Sequence, residues 1–261
     1  MKLTKDNYFS PEANKAYWSV SQFKAFNKCE ACGLAEVMGE YEREETDALL
    51  IGSYVDAYFS GERIEFEKAH ADKMLTKQGK LYAKFQSAAG MIQAIERQPL
   101  MVEYMMGQKQ VIRTANLFGV DWKIKMDVYN KGTRIVDLKT VKDFGDVWDP
   151  DYGRRSWIEY WGYDIQGAIY QRVEQIASDR DKPLPFYIAA VTKEKTPDMD
   201  LIEIPQDVLD AALGMVEAKI ERFDLIKTGQ VEPIRCERCE YCKQTKRLKV
   251  PSVYEIEEAK G

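Results

Sequence analysis

The stretch from residue 119 to residue 141 constrains the fold of this chain more than any other. It reads GVDWKIKMDVYNKGTRIVDLKTV, two runs rich in β-branched and aromatic residues around a tight turn at Asn130-Lys131-Gly132. Apolar and polar residues alternate in the first run, which is the period of a half-buried strand and not of a helix. An antiparallel β-hairpin is therefore expected. The apolar members of the first run are Val120, Trp122, Ile124, Met126 and Val128, and the others are Asp121, Lys123, Lys125, Asp127 and Tyr129.

The charged face of this hairpin is the first candidate site. Side chains two residues apart share a face of a strand, so Val136 and Leu138 are expected to join the apolar face. Asp137 and Lys139 would then lie with Asp127 on the other face. Two carboxylates about 4 Å apart repel by roughly 4 kcal/mol near a protein surface, and a bound cation such as Mg2+ would offset that repulsion. The alternative is a solvated face with a weak ion pair.

Composition and charge limit the classes of function. With 261 residues, 45% apolar and 31% charged, the chain is typical of a globular protein with a sizeable core. It lacks a long apolar run and a signal-peptide core at its start, so a cytoplasmic protein without membrane contact is expected. A net charge of -5 argues against holding nucleic acid by bulk electrostatics. Local basic patches could still contact nucleic acid, although solvated surface is the alternative for each. Their residues are Arg154, Arg155, Lys243, Lys246, Arg247 and Lys249.

Catalysis by histidine is not expected. The chain has one histidine, His70, within a strongly charged stretch that favours an exposed position on a helix. A Ser/His/Asp or Cys/His apparatus needs a histidine beside its nucleophile, and no such arrangement is indicated.

A helix over residues 47–61, DALLIGSYVDAYFSG, is expected upstream of the hairpin. Leu49, Gly52 and Asp56 share one stripe of it, so a small residue and a carboxylate project together. A carboxylate on an otherwise apolar helix is rarely buried without a partner. Asp56 is therefore either a surface acid or part of a site.

A second helix, over residues 156–177, is expected downstream. It carries an apolar stripe and a polar and aromatic one. The polar stripe is either a solvent face with amphipathic tyrosines or a surface that presents Gln166 and Tyr170 to a substrate. The apolar stripe contains Ile158, Trp161, Ile165, Ala168, Ile169 and Ile176, and the polar one Glu159, Tyr163, Gln166 and Tyr170.

The remaining pattern predicts one α/β domain. Residues 1–107 are expected to be mainly helical, with a first helix from Ser19 to about Met38 and one or two more between 62 and 98. Residues 108–230 would form the sheet core and its flanking helices, and residues 231–261 a cysteine-containing tail. Within the core we expect strands at 109–114, 186–192 and 200–204, a loop at 143–155 and a helix at 206–227.

The cysteines fall into two clusters with metal-ligand spacing. Cys29 and Cys32 form one C-x2-C, and Cys236, Cys239 and Cys242 form C-x2-C-x2-C. In a cytosolic protein this spacing suggests a zinc or iron-sulfur site that ties the first helix to the tail. Such a staple would close a loop of about 200 residues. Five thiols for four positions leave one spare, and free reduced cysteines are the alternative.

Together these elements resemble the PD-(D/E)XK nuclease superfamily, and within it the RecB-like and phage RecE-type (exonuclease VIII-like) exonucleases. The resemblance covers most of the chain. Asp127 stands where the family has its first strand carboxylate, and Asp137-Leu138-Lys139 matches the D/E-x-K tripeptide. The Gln-x-x-x-Tyr helix of the family corresponds to Gln166 and Tyr170. The implied fold is a restriction-endonuclease-like α/β core, with a central mixed sheet, antiparallel hairpins, flanking helices and N-terminal helical additions.

The resemblance also implies roles for these residues. Asp127 and Asp137 would bind Mg2+ or Mn2+ with the main-chain carbonyl of Leu138, and Asp56 would be a further ligand. Lys139 would position the attacking water. Gln166 and Tyr170 would organise the site and contact DNA, and the chemistry would be metal-assisted hydrolysis of a phosphodiester.

Two departures from the family pattern concern the metals. Asp56 replaces the histidine of the family's helical Gly-x-x-x-His, which makes the site more anionic. The cysteines are similar to the iron-sulfur staple of certain RecB-like nucleases, which has one cysteine near the N-terminus and three near the C-terminus. Here the last gap is two residues and Cys32 is extra, so zinc and iron-sulfur both remain open.

The leading functional hypothesis is a metal-dependent exonuclease that acts on the ends of double-stranded DNA. The resemblance places it in phage or prophage recombination, beside a single-strand annealing recombinase and with a possible ring-shaped homo-oligomer. The alternatives are an endonuclease or CRISPR-adaptation-type nuclease with an iron-sulfur cluster, and a non-catalytic DNA-binding protein on the same fold.

Overall fold

A five-stranded mixed sheet forms the centre of the protein, which the computed structural model describes over residues 1–248. The sheet has the order β1-β2-β3-β6-β7, and its neighbours are antiparallel except for the parallel pair β3 and β6. β4 and β5 form a separate two-stranded ribbon. The strands are β1 (Gln108–Leu117), β2 (Val120–Asn130), β3 (Arg134–Val141), β4 (Val147–Asp149), β5 (Gly153–Arg155), β6 (Phe186–Thr192) and β7 (Met199–Glu203).

Helices precede the sheet and alternate with its later strands. The bounds are α1 (Pro11–Ala16), α2 (Val20–Lys28), α3 (Glu30–Met38), α4 (Asp47–Ser60), α5 (Arg63–Ala69), α6 (Ala71–Met74), α7 (Gln86–Glu96), α8 (Pro99–Tyr104), α9 (Trp157–Tyr160), α10 (Tyr163–Ala177), α11 (Gln206–Lys227) and α12 (Glu240–Gln244), with a 3-10 turn at Ala83–Phe85. No helix within this part of the chain has both the length and the apolarity needed to cross a bilayer.

The helices pack in two layers, one on each face of the sheet. The first core joins α2, α10 and α11 to one face through residues such as Phe23, Ile169 and Phe223. The second joins α4 and α7 to the other face through residues such as Val55 and Met91. Helices on both faces of a sheet bury apolar surface on each side. The expected α/β core with a mixed sheet and helical N-terminal additions is confirmed.

The expectation of one continuous apolar face on the hairpin is wrong. Trp122 and Met126 pack in the first core, whereas Val128, Val136 and Leu138 pack in the second. The side-chain alternation of β2 therefore changes at Asp127. Two features account for this change. First, β2 pairs with β3 only as far as Val128 opposite Val136. Second, Gln110, the β1 residue opposite Asp127, has a left-handed backbone (φ 53°) and is not paired in the β1–β2 ladder.

Two predicted helices are each divided in the structure. Residues 19–38 form α2 and α3, because Cys29 is in an extended conformation between them. Residues 156–177 form α9 and α10, separated by Gly162 with a left-handed φ of 63°. Trp161, expected on the apolar stripe, is exposed as a result. Because the helix is broken at Gly162, residues before and after this glycine no longer share one helical face.

The other predictions differ mainly at boundaries. The antiparallel β1-β2-β3 meander and the helix over residues 206–227 are found as expected. Residues 62–98 contain α5, α6, the 3-10 turn and α7, more elements than predicted. The stretch expected as a loop at residues 143–155 contains the β4–β5 ribbon. Lys249 and the rest of the predicted tail beyond residue 248 lie outside the described residues.

Candidate functional site

Asp127, Asp137 and Lys139 come together where β2 and β3 separate. The Lys139 Nζ lies 2.5 Å from Oδ2 of the buried Asp137 as an ion pair. That oxygen has no other hydrogen-bond partner among the described residues. The carboxylate of Asp127 accepts a hydrogen bond of 3.0 Å from the main-chain N–H of Leu138. Asp127, Asp137 and Lys139, which were predicted to share one face of the hairpin, therefore form one cluster. The apolar residues predicted for the opposite face instead pack in two different cores.

The main chain of Leu138 also points into this cluster. Alternate residues of a strand direct their N–H and C=O groups to opposite sides. Ile135 donates to the carbonyl of Pro185 at 3.0 Å, on the β6 side. Leu138 is an odd number of residues away from Ile135, so its main-chain groups point to the β2 side. There β2 and β3 are no longer paired, and the Leu138 N–H donates to the carboxylate of Asp127 instead. Its carbonyl group therefore lies on the same side as the carboxylates.

Asp56 reaches the cluster from α4, which crosses the sheet next to β3. Gly52 allows this approach, since a Cβ built at that position would lie 2.7 Å from Oγ1 of Thr140. One turn later Asp56 accepts long hydrogen bonds of 3.3 and 3.4 Å from the Gln110 amide. Asp56 is half-buried, so the reading as a plain surface acid is not what the structure shows.

Gln166 and Tyr170 are buried and attach α10 to the two strands. The Gln166 amide donates to Oδ1 of Asp137 at 2.7 Å. The Tyr170 hydroxyl donates to the carbonyl of Lys125 at 3.0 Å, two residues before Asp127. The polar stripe of this helix therefore faces the sheet at these two positions, and the solvent-face alternative is wrong there.

Electrostatics at the cluster favour a bound cation. Burial raises the pKa of Asp127 well above its ordinary value, and the charges of Asp137 and Asp56 raise it further. Burial and Asp137 raise the pKa of Asp56 in the same way. Burial tends to lower the pKa of Lys139, but Asp137 and Asp127 outweigh it and hold that pKa above its ordinary value. Lys139 therefore supplies one positive charge to a group of three carboxylates, and the ionisation of Asp127 and Asp56 is disfavoured there.

The donor set fits a hard divalent cation. Carboxylate and carbonyl oxygens are the ligands that Mg2+ and Mn2+ prefer, and the cluster offers Asp56, Asp127, Asp137 and the Leu138 carbonyl. The buried Oδ2 of Asp137, balanced by Lys139 alone, is an oxygen that such a cation would satisfy. Histidine plays no part in these contacts, because the half-buried His70 stacks on Phe66 and contacts its own turn.

Lys24 and Tyr163 belong to the same neighbourhood, and the sequence patterns pointed to only one of them. Lys24 on α2 donates to the carbonyl of Trp161 at 2.8 Å, and burial with the nearby charge of Lys139 lowers its pKa to about 8. The ring of Tyr163 lies 5.1 Å from Lys139 Nζ. Tyr163 is on the predicted polar stripe, but no sequence pattern indicates Lys24, because it lies on α2, far from the strands in the chain.

Four cysteines form a second candidate metal site. The sulfur atoms of Cys29, Cys236, Cys239 and Cys242 all lie within 4.8 Å of one another. The Sγ atoms of Cys29 and Cys242 are 3.6 Å apart, and those of Cys236 and Cys242 are 3.9 Å apart. Tetrahedral zinc with bonds of about 2.3 Å would place sulfur atoms roughly 3.8 Å apart. These four thiols therefore fit one metal ion.

Cys32, which was grouped with the other four, lies outside this set. Its thiol donates to the carboxylate of Glu36 at 3.4 Å. Burial and the charge of Glu36 raise the pKa of Cys32 to about 12, which disfavours the thiolate. Burial alone would also raise the pKa of Cys236, but the backbone N–H groups of Arg238 and Cys239 outweigh it and lower that pKa to about 6. Cys236 is thus the thiol most ready to bind a cation.

Contacts other than sulfur also join the tail to the first helices. Arg222 binds Glu30 through two hydrogen bonds of 2.8 Å, and the same carboxylate accepts from the N–H of Ile234 at 2.7 Å. The rings of Tyr41 and Tyr241 lie 5.4 Å apart. The cysteine set therefore sits inside a larger connection between distant parts of the chain.

Comparison with known proteins identifies relatives of this whole arrangement. A family model described as "PDDEXK-like domain of unknown function (DUF3799)" matches residues 19–245. The chain is also similar to a solved structure from Eubacterium rectale, described as that of a candidate exonuclease. The two are 44% identical, the match covers 97% of each chain, and the TM-score is 0.91.

A solved structure of SSO0001 matches 76% of this chain and 93% of its own at 12% identity, with a TM-score of 0.27. No curated protein matches the sequence at a significant level.

Proposed function

The chain belongs to the PDDEXK-like family, and on that premise we propose that it is a metal-dependent nuclease, more narrowly an exonuclease of linear double-stranded DNA. The observation that carries this proposal is the joint placement of Asp127, Asp137 and Lys139 at the point where two strands part. The candidate exonuclease from Eubacterium rectale supports it at the level of activity.

Each residue of the cluster has a proposed task. Asp127, Asp137 and the Leu138 carbonyl would hold Mg2+ or Mn2+, with Asp56 as an additional ligand. When bound, such a cation supplies positive charge that stabilises the developing charge on the phosphorus centre and eases deprotonation of the attacking water. Lys139 would donate a hydrogen bond that positions the water or a phosphate oxygen.

The helix residues would keep this cluster in place. Gln166 holds one oxygen of Asp137, so that the other remains directed to Lys139. Tyr170 fixes the main chain of β2 just before Asp127. Contacts of these two side chains with DNA, implied by the family resemblance, are part of the proposal.

The test is Mg2+-dependent release of nucleotides from linear duplex DNA by purified protein. We expect Lys139→Ala to lower the rate at least about 10²-fold, since it removes a group that acts on the reacting atoms. Lys142→Ala is the matched control, because Lys142 follows the same strand and is almost fully exposed. Equal rates in the wild type and in Lys139→Ala would sink the assignment.

Substrate topology separates the exonuclease from its alternatives. Degradation of linear duplex without nicking of covalently closed circles is expected of an exonuclease. Cleavage of the circles would favour the endonuclease, and DNA binding with no metal-dependent turnover would favour a non-catalytic protein. Single-stranded tails on partly digested duplex would support a role in recombination beside an annealing protein, and sedimentation would test the proposed homo-oligomer.

For the cysteine site we propose a structural metal, either zinc or an iron-sulfur cluster. The sulfur spacing favours one tetrahedral ion. Anaerobically purified protein that is colourless and contains stoichiometric zinc would select zinc, whereas absorbance at about 400 nm would select the iron-sulfur cluster. Protein with neither metal would contradict the proposal.

A further inference from the structure

Three large aromatic side chains project into solvent on the β4–β5 ribbon and at the end of α9. Trp148 on β4 is 73% exposed, Tyr152 in the β4–β5 turn is 74% exposed, and Trp161 after α9 is 52% exposed. Isolated exposed apolar residues are common, but several large rings on one small surface mark an interaction site. We refer to Trp148, Tyr152 and Trp161 as the aromatic platform.

A chain of contacts connects the platform to the candidate site. Arg155, on the ribbon strand that pairs with β4, donates to the carbonyl of Glu159 in α9 at 3.2 Å. The ring of Trp157 in α9 lies 5.8 Å from the ring of Tyr163 in α10. The Tyr163 ring in turn lies 5.1 Å from Lys139 Nζ. The carbonyl of Trp161 itself accepts the hydrogen bond from Lys24. The platform is therefore linked through Trp157 and Tyr163 to Lys139, and through the Trp161 carbonyl to Lys24.

Two arginine side chains of the ribbon lie close to its rings, but acidic side chains already balance their charge. Arg154, across the ribbon from Trp148, pairs with Asp146 at 3.0 Å. Arg155 pairs with Asp149 at 3.6 Å, and its guanidinium group lies 5.2 Å from the ring of Tyr152. The ribbon therefore offers ring faces and stacked guanidinium groups with little net positive charge. A partner held here is held mainly by stacking.

We propose that the aromatic platform binds the bases of a single-stranded segment of DNA next to the cleaved phosphodiester. This inference rests on the proposed nuclease function and adds the form of its substrate. Every nucleobase has a face that stacks on an indole or phenol ring, so such a surface binds single strands without sequence preference. It also explains how a chain with a net charge of -5 retains DNA without a broad basic surface.

The experiment measures binding of a fluorescent oligothymidylate to the full chain, with Ca2+ in place of Mg2+ to prevent turnover. Replacing both Trp148 and Tyr152 by Ala should weaken binding by at least about fivefold for each ring removed. The factor should be nearly the same at low and high salt, because stacking releases few counterions. Trp148→Phe with Tyr152→Phe keeps two rings and should retain affinity within about twofold.

Two internal controls accompany this measurement. Leu100→Ala removes another exposed apolar side chain, 56% exposed on α8, and should leave affinity unchanged. Tryptophan fluorescence reports the platform directly, since Trp148 and Trp161 are exposed whereas Trp18, Trp122 and Trp157 are buried. Binding should quench the exposed fraction, and the double Ala variant should lose most of this quenching.

Unchanged affinity in the double Ala variant would overturn the proposal, as would an equal loss in Leu100→Ala. A change in sedimentation of the free protein in the double Ala variant would show that the platform joins two copies of the chain, and would overturn it as well. Nuclease activity separates the two proposals. If the wild type degrades DNA but the double Ala variant binds the oligonucleotide normally, only the platform proposal is contradicted. If the wild type does not degrade DNA but binding depends on the platform, only the nuclease proposal is contradicted.

Discussion

The two candidate metal sites are built in opposite ways. The aspartate site brings together carboxylates from β2, β3 and α4, where burial and mutual repulsion raise the pKa of two of the acids. The cysteine site joins the α2–α3 junction to the tail, and ion pairs and aromatic contacts reinforce it. Within residues 1–248 the four thiols lie within 4.8 Å of one another, and the three aspartates form no group so compact.

This difference separates a site suited to chemistry from one suited to stability. Like charges held together without a cation cost free energy in the folded protein, and bound metal recovers it. The four thiols already lie at the spacing that one ion requires, inside a junction held by other contacts. Binding the ion therefore costs them little conformational freedom. Substitutions in the first site should therefore act on activity, and substitutions in the second on stability.

The largest effect is expected from Asp137→Asn. The amide keeps the shape of the side chain and can still accept from Gln166, but it removes the negative charge beside Lys139. Nucleotide release should fall at least about 10²-fold, because a neutral amide is a weaker ligand for the divalent cation whose positive charge would stabilise the transition state. The melting temperature by circular dichroism should change little, because relief of the repulsion among the acids offsets the loss of the buried ion pair with Lys139. A marked fall in melting temperature would break the contrast between the sites.

Cys242→Ser should show the reverse pattern. Losing one of the four clustered thiols would weaken a structural metal site, and we expect the melting temperature to fall by about 10 °C. Cys32→Ser is the matched control, since this thiol contacts Glu36 and lies outside the set of four. Thermal melts with metal analysis measure both. Similar melting temperatures for the two variants would mean that no structural metal is bound.

Gly52→Ala tests whether the aspartate site depends on the approach of α4 to the sheet. The added methyl group would overlap Thr140, so α4 should shift and stability should fall by about 1–2 kcal/mol. Asp56 would move with it, and the rate should fall at the same time. Gly214→Ala on α11 meets nothing within 4 Å. Denaturant melts should show that variant unchanged or slightly more stable.

The smallest effect concerns the pH dependence of stability without divalent metal. The pKa values of Asp127 and Asp56 are raised in the folded state, so protonation favours folding. Their contribution should therefore stabilise the protein as pH falls from neutral through the folded-state pKa values toward the unfolded value of about 3.9. Asp127→Asn should flatten this dependence in chelator. Added Mg2+ should oppose it, and identical pH profiles in chelator and in Mg2+ would contradict the metal site.

Much of the fold was predictable because its signals are local. The period of the hairpin, the bounds of α11 and the order of the motifs follow from residues close together in the chain. The change of face at Asp127 was not predictable, because it depends on the backbone of Gln110 and on where β2 leaves β3. The breaks at Cys29 and Gly162 were missed for the same reason, since packing overrode a continuous helical pattern.

By itself the sequence determined which residue types are available for chemistry and on which kind of element each lies, because periodicity and spacing are local properties. Only the tertiary structure decided which of them meet. It placed Lys24 beside Lys139, chose Cys29 over Cys32 for the sulfur set, and left Trp148 and Tyr152 exposed. Distances between elements far apart in the chain arise from how the helices pack on the sheet, and no spacing along the sequence encodes them.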